Sequence, residues 1–118
     1  MGLTDVSLKI KNPGIPSKVV EGTFLVDSGA TYTVLPNKYV KELDLKPSYV
    51  REFSLADGTV IKRNIGNALI EFNGEETAVP VVLGQRGDSA LLGVFTLEAL
   101  GLMLNPFNRK LFPAKLMM

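Results

Sequence analysis

Val6, Leu8 and Ile10 are each separated by one polar residue, the two-residue period of a strand with one buried face. Asn12-Pro13-Gly14 then predicts a turn. From Lys18 to Val26 the chain is rich in β-branched and aromatic residues and ends in the apolar run Phe24-Leu25-Val26, which predicts a strand whose last part is buried. That strand runs directly into Asp27-Ser28-Gly29-Ala30. Pro36 suits the first turn of a helix, and Val40 with Leu43 gives PNKYVKEL one apolar face.

Two hairpins follow. Tyr49 to Leu55 and Val60 onward flank Ala56-Asp57-Gly58-Thr59, and Asp-Gly between β-prone runs is a strong hairpin signal. The second arm continues to Phe72, Asn73-Gly74 turns the chain, and Thr77 to Leu83 returns, with Pro80 predicting an edge position or a bulge. Gly84 to Ser89 reads as a loop, and Ala90-Leu91-Leu92-Gly93 as a short buried strand. Thr96 is expected to cap a short helix containing Leu97, Ala99 and Leu100, which Gly101 terminates. Met103 to Asn105 and Lys110 to Phe112 complete the strands around an Asn105-Pro106 turn. Many short strands with one or two short helices predict a small, mainly β, barrel-like fold, and 118 residues suit a single domain over positions 1–118.

Composition narrows the chemistry. Apolar residues are 46% and charged residues 21% of the chain, enough apolar surface to build a core. Thirteen Lys and Arg against twelve Asp and Glu give a net charge of +1, which supplies no electrostatic motive for nucleic acid or an anionic membrane as partner. There is no cysteine and no histidine, so thiolate catalysis, Cys- or His-ligated metal sites and a Ser-His-Asp triad are all excluded. No cofactor or metal is expected, and proton transfer by an enzyme of this composition falls first to carboxylates. Asp5 interrupts any leader-like apolar run, Val6 does not fit the myristoylation pattern, and no stretch approaches about 20 apolar residues, so the expectation is a soluble protein inside the cell.

Most acids lie beside turns or alternate with polar residues, as solvated surface carboxylates do. Asp27 instead stands where a buried strand opens into a turn of small residues. A carboxylate beside a core costs several kcal/mol unless partnered, roughly 2–7 kcal/mol on polar-group scales, so Asp27 is either a hydrogen-bonded turn residue or a functional one. Ser28 has no histidine to deprotonate it and no lysine beside it, which argues against a serine nucleophile.

Asp-Ser-Gly carries little weight alone. Here an apolar strand precedes it, Ala30 follows, a Gly-tipped hairpin comes some thirty residues later, and Leu91-Leu92-Gly93 leads into a short helix. In that order the chain resembles the retropepsin-like aspartic proteases. FLVDSGATYTVLP is similar to the family's catalytic loop, LADGTV to its flap tip, NALIEFNGEETAVPVVLG to the hairpin after the flap, and ALLGVFTLEALGLMLNP to its closing strand and helix.

The resemblance implies a closed acid-protease barrel with one lobe per chain. It implies Asp27 as the catalytic acid, Ser28 as the hydroxyl that braces the loop, and Gly29 as a close-approach position, with Ala30 completing the loop. It further implies Asp57 and Gly58 at a flap tip, and Leu92 and Gly93 as the second apolar-Gly motif. One chain carries one Asp-Ser-Gly, whereas this chemistry needs two carboxylates sharing a proton, so a homodimer is required for the active site, with an extended polypeptide as substrate. Such a pair titrates in two separated steps, favouring acidic or weakly acidic pH.

Many retroviral members place an acid after the motif's alanine and an arginine after the second apolar-Gly. Thr31 and Val94 stand there instead, which implies a different support for the dimer. The tail LFPAKLMM either adds an interface strand or packs on its own domain. Two alternatives remain beside the endopeptidase: a catalytically inactive dimer that binds peptides or mediates assembly, and a small-ligand β-barrel, which leaves the Asp-Ser-Gly and apolar-Gly pairing unexplained. Val34, Ile65, Val81 and Val82 are candidates for subsite lining and equally for core.

Overall fold

The computed structural model describes residues 4–118. Its strands are β1 (Asp5–Asn12), β2 (Ile15–Val26), β3 (Thr33–Leu35), β4 (Tyr49–Ser54), β5 (Val60–Phe72), β6 (Glu75–Leu83), β7 (Leu91–Leu92), β8 (Leu102–Leu104) and β9 (Leu111–Pro113), with helices α1 (Asn37–Leu43) and α2 (Val94–Ala99). Seven strands form one sheet in the order β1-β2-β7-β3-β6-β5-β4, and β8 with β9 forms a separate two-stranded sheet. β1 also pairs with β5, from Lys9 opposite Glu71 to Lys11 opposite Leu69. The expected mainly β architecture with two short helices is present.

The alternation in β1 does what its period predicts. Leu8 and Ile10 are buried while Ser7 and Lys9 face solvent. Phe24 and Val26 from β2, Leu35 from β3, Ala68 and Ile70 from β5, Val81 from β6 and Leu92 from β7 meet them in one core, which Leu43 of α1 and Leu97 of α2 cover. Full burial of a side chain such as Phe24 contributes about 1.5–3 kcal/mol. Close packing extends to the backbone: a Cβ on Gly22 would lie 2.2 Å from the Tyr39 hydroxyl oxygen, so a larger residue in β2 would push the Tyr39 ring of α1 aside.

The turns follow their residues. Asn73 and Gly74 both take positive φ, 50° and 81°, as a two-residue turn matched to strand twist demands. The β4–β5 hairpin instead closes through Leu55 N–H to Thr59 O at 2.7 Å, with Gly58 alone at φ 87° and the Asp57 carboxylate accepting from Thr59 N–H at 2.9 Å. Pro36 takes the cap position before α1 rather than its first turn. Pro80 lies in a strand with neighbours on both sides, but pairing with β3 begins only at Val81, so the missing N–H of Pro80 faces an open stretch of that edge. Gly101 ends α2 with φ 69° and donates to Glu98 O, as expected.

Thr96 departs from its expectation. It is a buried residue inside α2, whose cap position is Gly93, and its hydroxyl hydrogen-bonds that of Thr33 at 2.6 Å. A hydroxyl with a buried partner is worth more to the fold than one at a frayed helix end, and the helix begins three residues earlier than expected. The tail pairs within its own chain as far as β9, Ala114 N–H donates to Gly101 O at 2.7 Å, and Leu116, Met117 and Met118 are exposed.

Asn12 ties the first turn to the end of α1. Its Nδ2 donates to the carbonyls of Leu43 at 2.8 Å and Asp44 at 3.3 Å, while its Oδ1 accepts from Gly14 and Ile15 N–H at 2.8 and 3.2 Å. The Leu43 and Asp44 carbonyls sit at the helix end, where Asp44 turns left-handed at φ 53°. Because alanine here leaves buried groups without partners, Asn12→Ala is expected to lower unfolding free energy by about 1–3 kcal/mol, read as a reduced urea midpoint at unchanged slope.

Candidate active site

β2 delivers Asp27 to the end of the sheet, where two-residue β7 is wedged between β2 and β3. Leu25 and Val26 pair in parallel with Leu91 and Leu92, and Val34 pairs antiparallel with Leu91. The Asp27 N–H donates to Leu92 O at 3.0 Å, extending the β2–β7 ladder by one bond into the loop. The carboxylate turns back over that loop: Oδ1 accepts from Gly29 N–H at 2.9 Å, and Ala30 N–H donates to the Asp27 carbonyl at 3.1 Å. Asp27 is half-buried, and Ser28 and Gly29 are exposed.

Gly93 lies directly behind the loop. A Cβ there would stand 2.5 Å from the carbonyl carbon and oxygen of Tyr32 and 2.9 Å from Ala30 O, so no residue with a side chain fits without moving the loop. Its N–H donates to the Thr33 hydroxyl at 3.1 Å. The first N–H groups of α2 complete the fastening, Val94 to Ala30 O at 2.8 Å and Phe95 to Thr31 O at 3.0 Å. These bonds satisfy two N–H groups that a helix start leaves unpartnered, and they fix the loop by its backbone alone. The segments that carry Thr31 and Val94 are thus joined through backbone groups.

In front of the loop lies a cleft of about 390 Å³ lined by Gly29 to Tyr32, Val34, Phe53, Ser54, Leu55, Ile61, Arg63, Val82, Asp88, Ser89 and Leu91. One wall is the Gly29–Tyr32 segment of the Asp27 loop and the other is the β4–β5 hairpin. Of the predicted site residues, the structure brings Asp27, Ser28, Gly29 and Ala30 together with Leu92 and Gly93 behind them. Asp57 and Gly58 occupy the hairpin tip, outside this lining, and nothing lies within 4 Å of the Gly58 Cβ position. Val34 and Val82 line the cleft, whereas Ile65 and Val81 are fully buried core residues.

Tyr32 was not singled out by the sequence, yet it joins the loop to its surroundings. Its ring packs edge-on to Phe53 of the hairpin at 5.8 Å and to Phe95 of α2 at 5.1 Å. It also hydrogen-bonds the Tyr49 hydroxyl, and that bond, with burial behind it, pushes the Tyr49 phenol above its ordinary value. Arg63 and Asp88 were likewise missed. Arg63 Nε and Nη2 reach the two Asp88 carboxylate oxygens at 2.7 and 3.0 Å, joining β5 to the loop before β7. Among the described residues no group of three or more Asp or Glu side chains could hold a metal ion, and no helix is long and apolar enough to cross a membrane.

The hydrogen bond from Arg63, reinforced by one from Gln85 N–H, holds the Asp88 carboxyl below its ordinary value of 3.8 despite the opposing effect of burial. A carboxyl depressed in the folded state stabilises it above the unfolded value, and that contribution disappears as pH falls through the folded value. Asp88→Asn is therefore expected to lower stability by about 1–2 kcal/mol at neutral pH, with the gap to wild type closing below pH 3.8, as thermal melts across pH will read.

None of the curated proteins compared with the chain matches it. The model of a family described as "gag-polyprotein putative aspartyl protease" matches residues 18–99, from β2 through the end of α2. The match spans the Asp27 loop and Gly93 behind it, and every residue that lines the cleft. Both the sequence motifs and their assembly around one carboxylate place the chain in that aspartyl protease family.

Proposed function

We propose that this chain is one lobe of an aspartic endopeptidase that hydrolyses peptide bonds as a homodimer. The observation that carries the reading is the setting of Asp27: its carboxylate is held by Gly29 N–H on a loop fixed by Leu92 and Gly93, and the next residues of that loop, Gly29 to Tyr32, line a largely apolar cleft. Membership of the aspartyl protease family supports it. We also read the β1–β5 pairing as closing the large sheet into a barrel, which would leave the loop and hairpin as its open end.

In the proposed mechanism two copies meet with their Asp27 side chains about 3 Å apart, where both cannot ionise together. The ionised partner takes a proton from water while the protonated one donates to the scissile carbonyl, so water adds and a tetrahedral species forms. Proton return to the leaving nitrogen breaks the C–N bond and regenerates the pair. Ser28, exposed beside Asp27, braces the two loops across the axis, and Gly29 lets substrate backbone approach. The β4–β5 hairpin serves as the flap, with Asp57 and Gly58 at its tip, pairing with an extended peptide.

Asp27→Ala is expected to reduce cleavage of a diverse peptide mixture between about pH 3 and 7 by at least about a thousandfold while the protein still melts cooperatively. Wild-type specific activity should rise with protein concentration, because the site is assembled by association. A protein that is dimeric by sedimentation yet cleaves nothing would instead identify a peptide-binding or assembly module.

A further inference from the structure

Among the described residues lining the cleft, two are charged, Arg63 and Asp88, and they face each other. Their side chains are only 16% and 22% exposed. Each is occupied: both Asp88 oxygens accept from Arg63, Asp88 Oδ2 also accepts from Gln85 N–H at 2.8 Å, and Arg63 Nη1 donates to Lys62 O at 2.9 Å. The Asp88 backbone is held as well, its N–H donating to Gln85 O at 3.0 Å in a turn anchored by Gly84 N–H to Leu35 O at 2.8 Å. The remaining wall is mostly apolar, with Val34, Leu55, Ile61, Val82 and Leu91.

We propose that Arg63 and Asp88 are specificity-determining residues, whose pairing makes the cleft wall charge-neutral and thereby selects uncharged side chains of the bound peptide. This rests on the peptidase reading above. A Glu or Lys side chain entering the cleft gives up water and meets a wall whose two charges already compensate each other, so nothing offsets its desolvation. An apolar side chain incurs no such cost. Rejection therefore comes from the absence of an unmatched charge, and removing either partner creates one of known sign.

The test uses a peptide panel in which Leu, Glu or Lys occupies in turn each position flanking the cleaved bond, with kcat/KM measured for each. Wild type is expected to prefer Leu over both ions. Arg63→Gln exposes the Asp88 carboxylate and should raise the Lys-to-Leu ratio by roughly fivefold to tenfold, whereas Asp88→Asn should raise the Glu-to-Leu ratio similarly. The double variant Arg63→Gln with Asp88→Asn, and the swap Arg63→Asp with Asp88→Arg, should both return to Leu.

Single variants that leave both ratios unchanged, or both shift them the same way, overturn the proposal. If a single variant fails to melt cooperatively, the double and swapped variants decide, and loss of the Leu preference in either overturns it. The same panel is titrated by fluorescence anisotropy against Asp27→Asn versions of each protein. Binding with the sign-dependent shift but no wild-type cleavage contradicts the peptidase reading and leaves the role of the wall standing. Cleavage without the shift does the reverse, and a panel that neither binds nor is cleaved overturns both.

Discussion

The site depends on the wedging of a two-residue strand between two others. Leu91 and Leu92 have too little length to hold themselves in place, and pairing with β2 on one side and β3 on the other fixes them. Those pairings set the Leu92 carbonyl under the Asp27 N–H and press Gly93 against the backbone of Ala30 and Tyr32. Because the loop is gripped through main-chain groups, its own side chains are left for other work. The Thr33 and Thr96 hydroxyls complete the grip from below, buried against each other with Thr33 also accepting from Gly93.

Local signals were the legible ones. Alternation placed β1, Asn73-Gly74 and Asp57-Gly58 placed the hairpins, and the break from Phe24-Leu25-Val26 to Asp27-Ser28-Gly29 marked the loop. What sequence did not reveal is what long-range pairing decides. In Val81-Val82 two adjacent apolar residues carry no parity signal, and only the register with β3 and β5 puts Val81 in the core and Val82 on the cleft. Arg63 and Asp88 lie 25 residues apart on elements that no periodicity relates. Thr96 resembled a cap because Ser and Thr favour helix starts, but a buried hydroxyl partner on β3 outweighed that preference.

The cleft joins these parts into a working arrangement. Tyr32 couples the loop to the hairpin through Phe53 and Tyr49 and to α2 through Phe95, so displacement of the hairpin is felt one residue from Thr31. The salt bridge ties the same hairpin, through Arg63 of β5, to the loop before β7. Where many retroviral relatives place an acid and an arginine, this chain carries Thr31 and Val94 and joins the two segments by hydrogen bonds between backbone groups. Such bonds do not titrate, which suits a site proposed to work in acid.

In the proposed dimer one reaction needs the Asp27 carboxylates of two copies. The most direct test is to mix wild type with Asp27→Ala at fixed total concentration, allow subunits to exchange, and measure peptide cleavage against the wild-type fraction. A shared site predicts that activity falls as the square of that fraction, since mixed dimers hold one carboxylate and are inactive. A linear fall would mean that each chain acts alone, and would contradict the account.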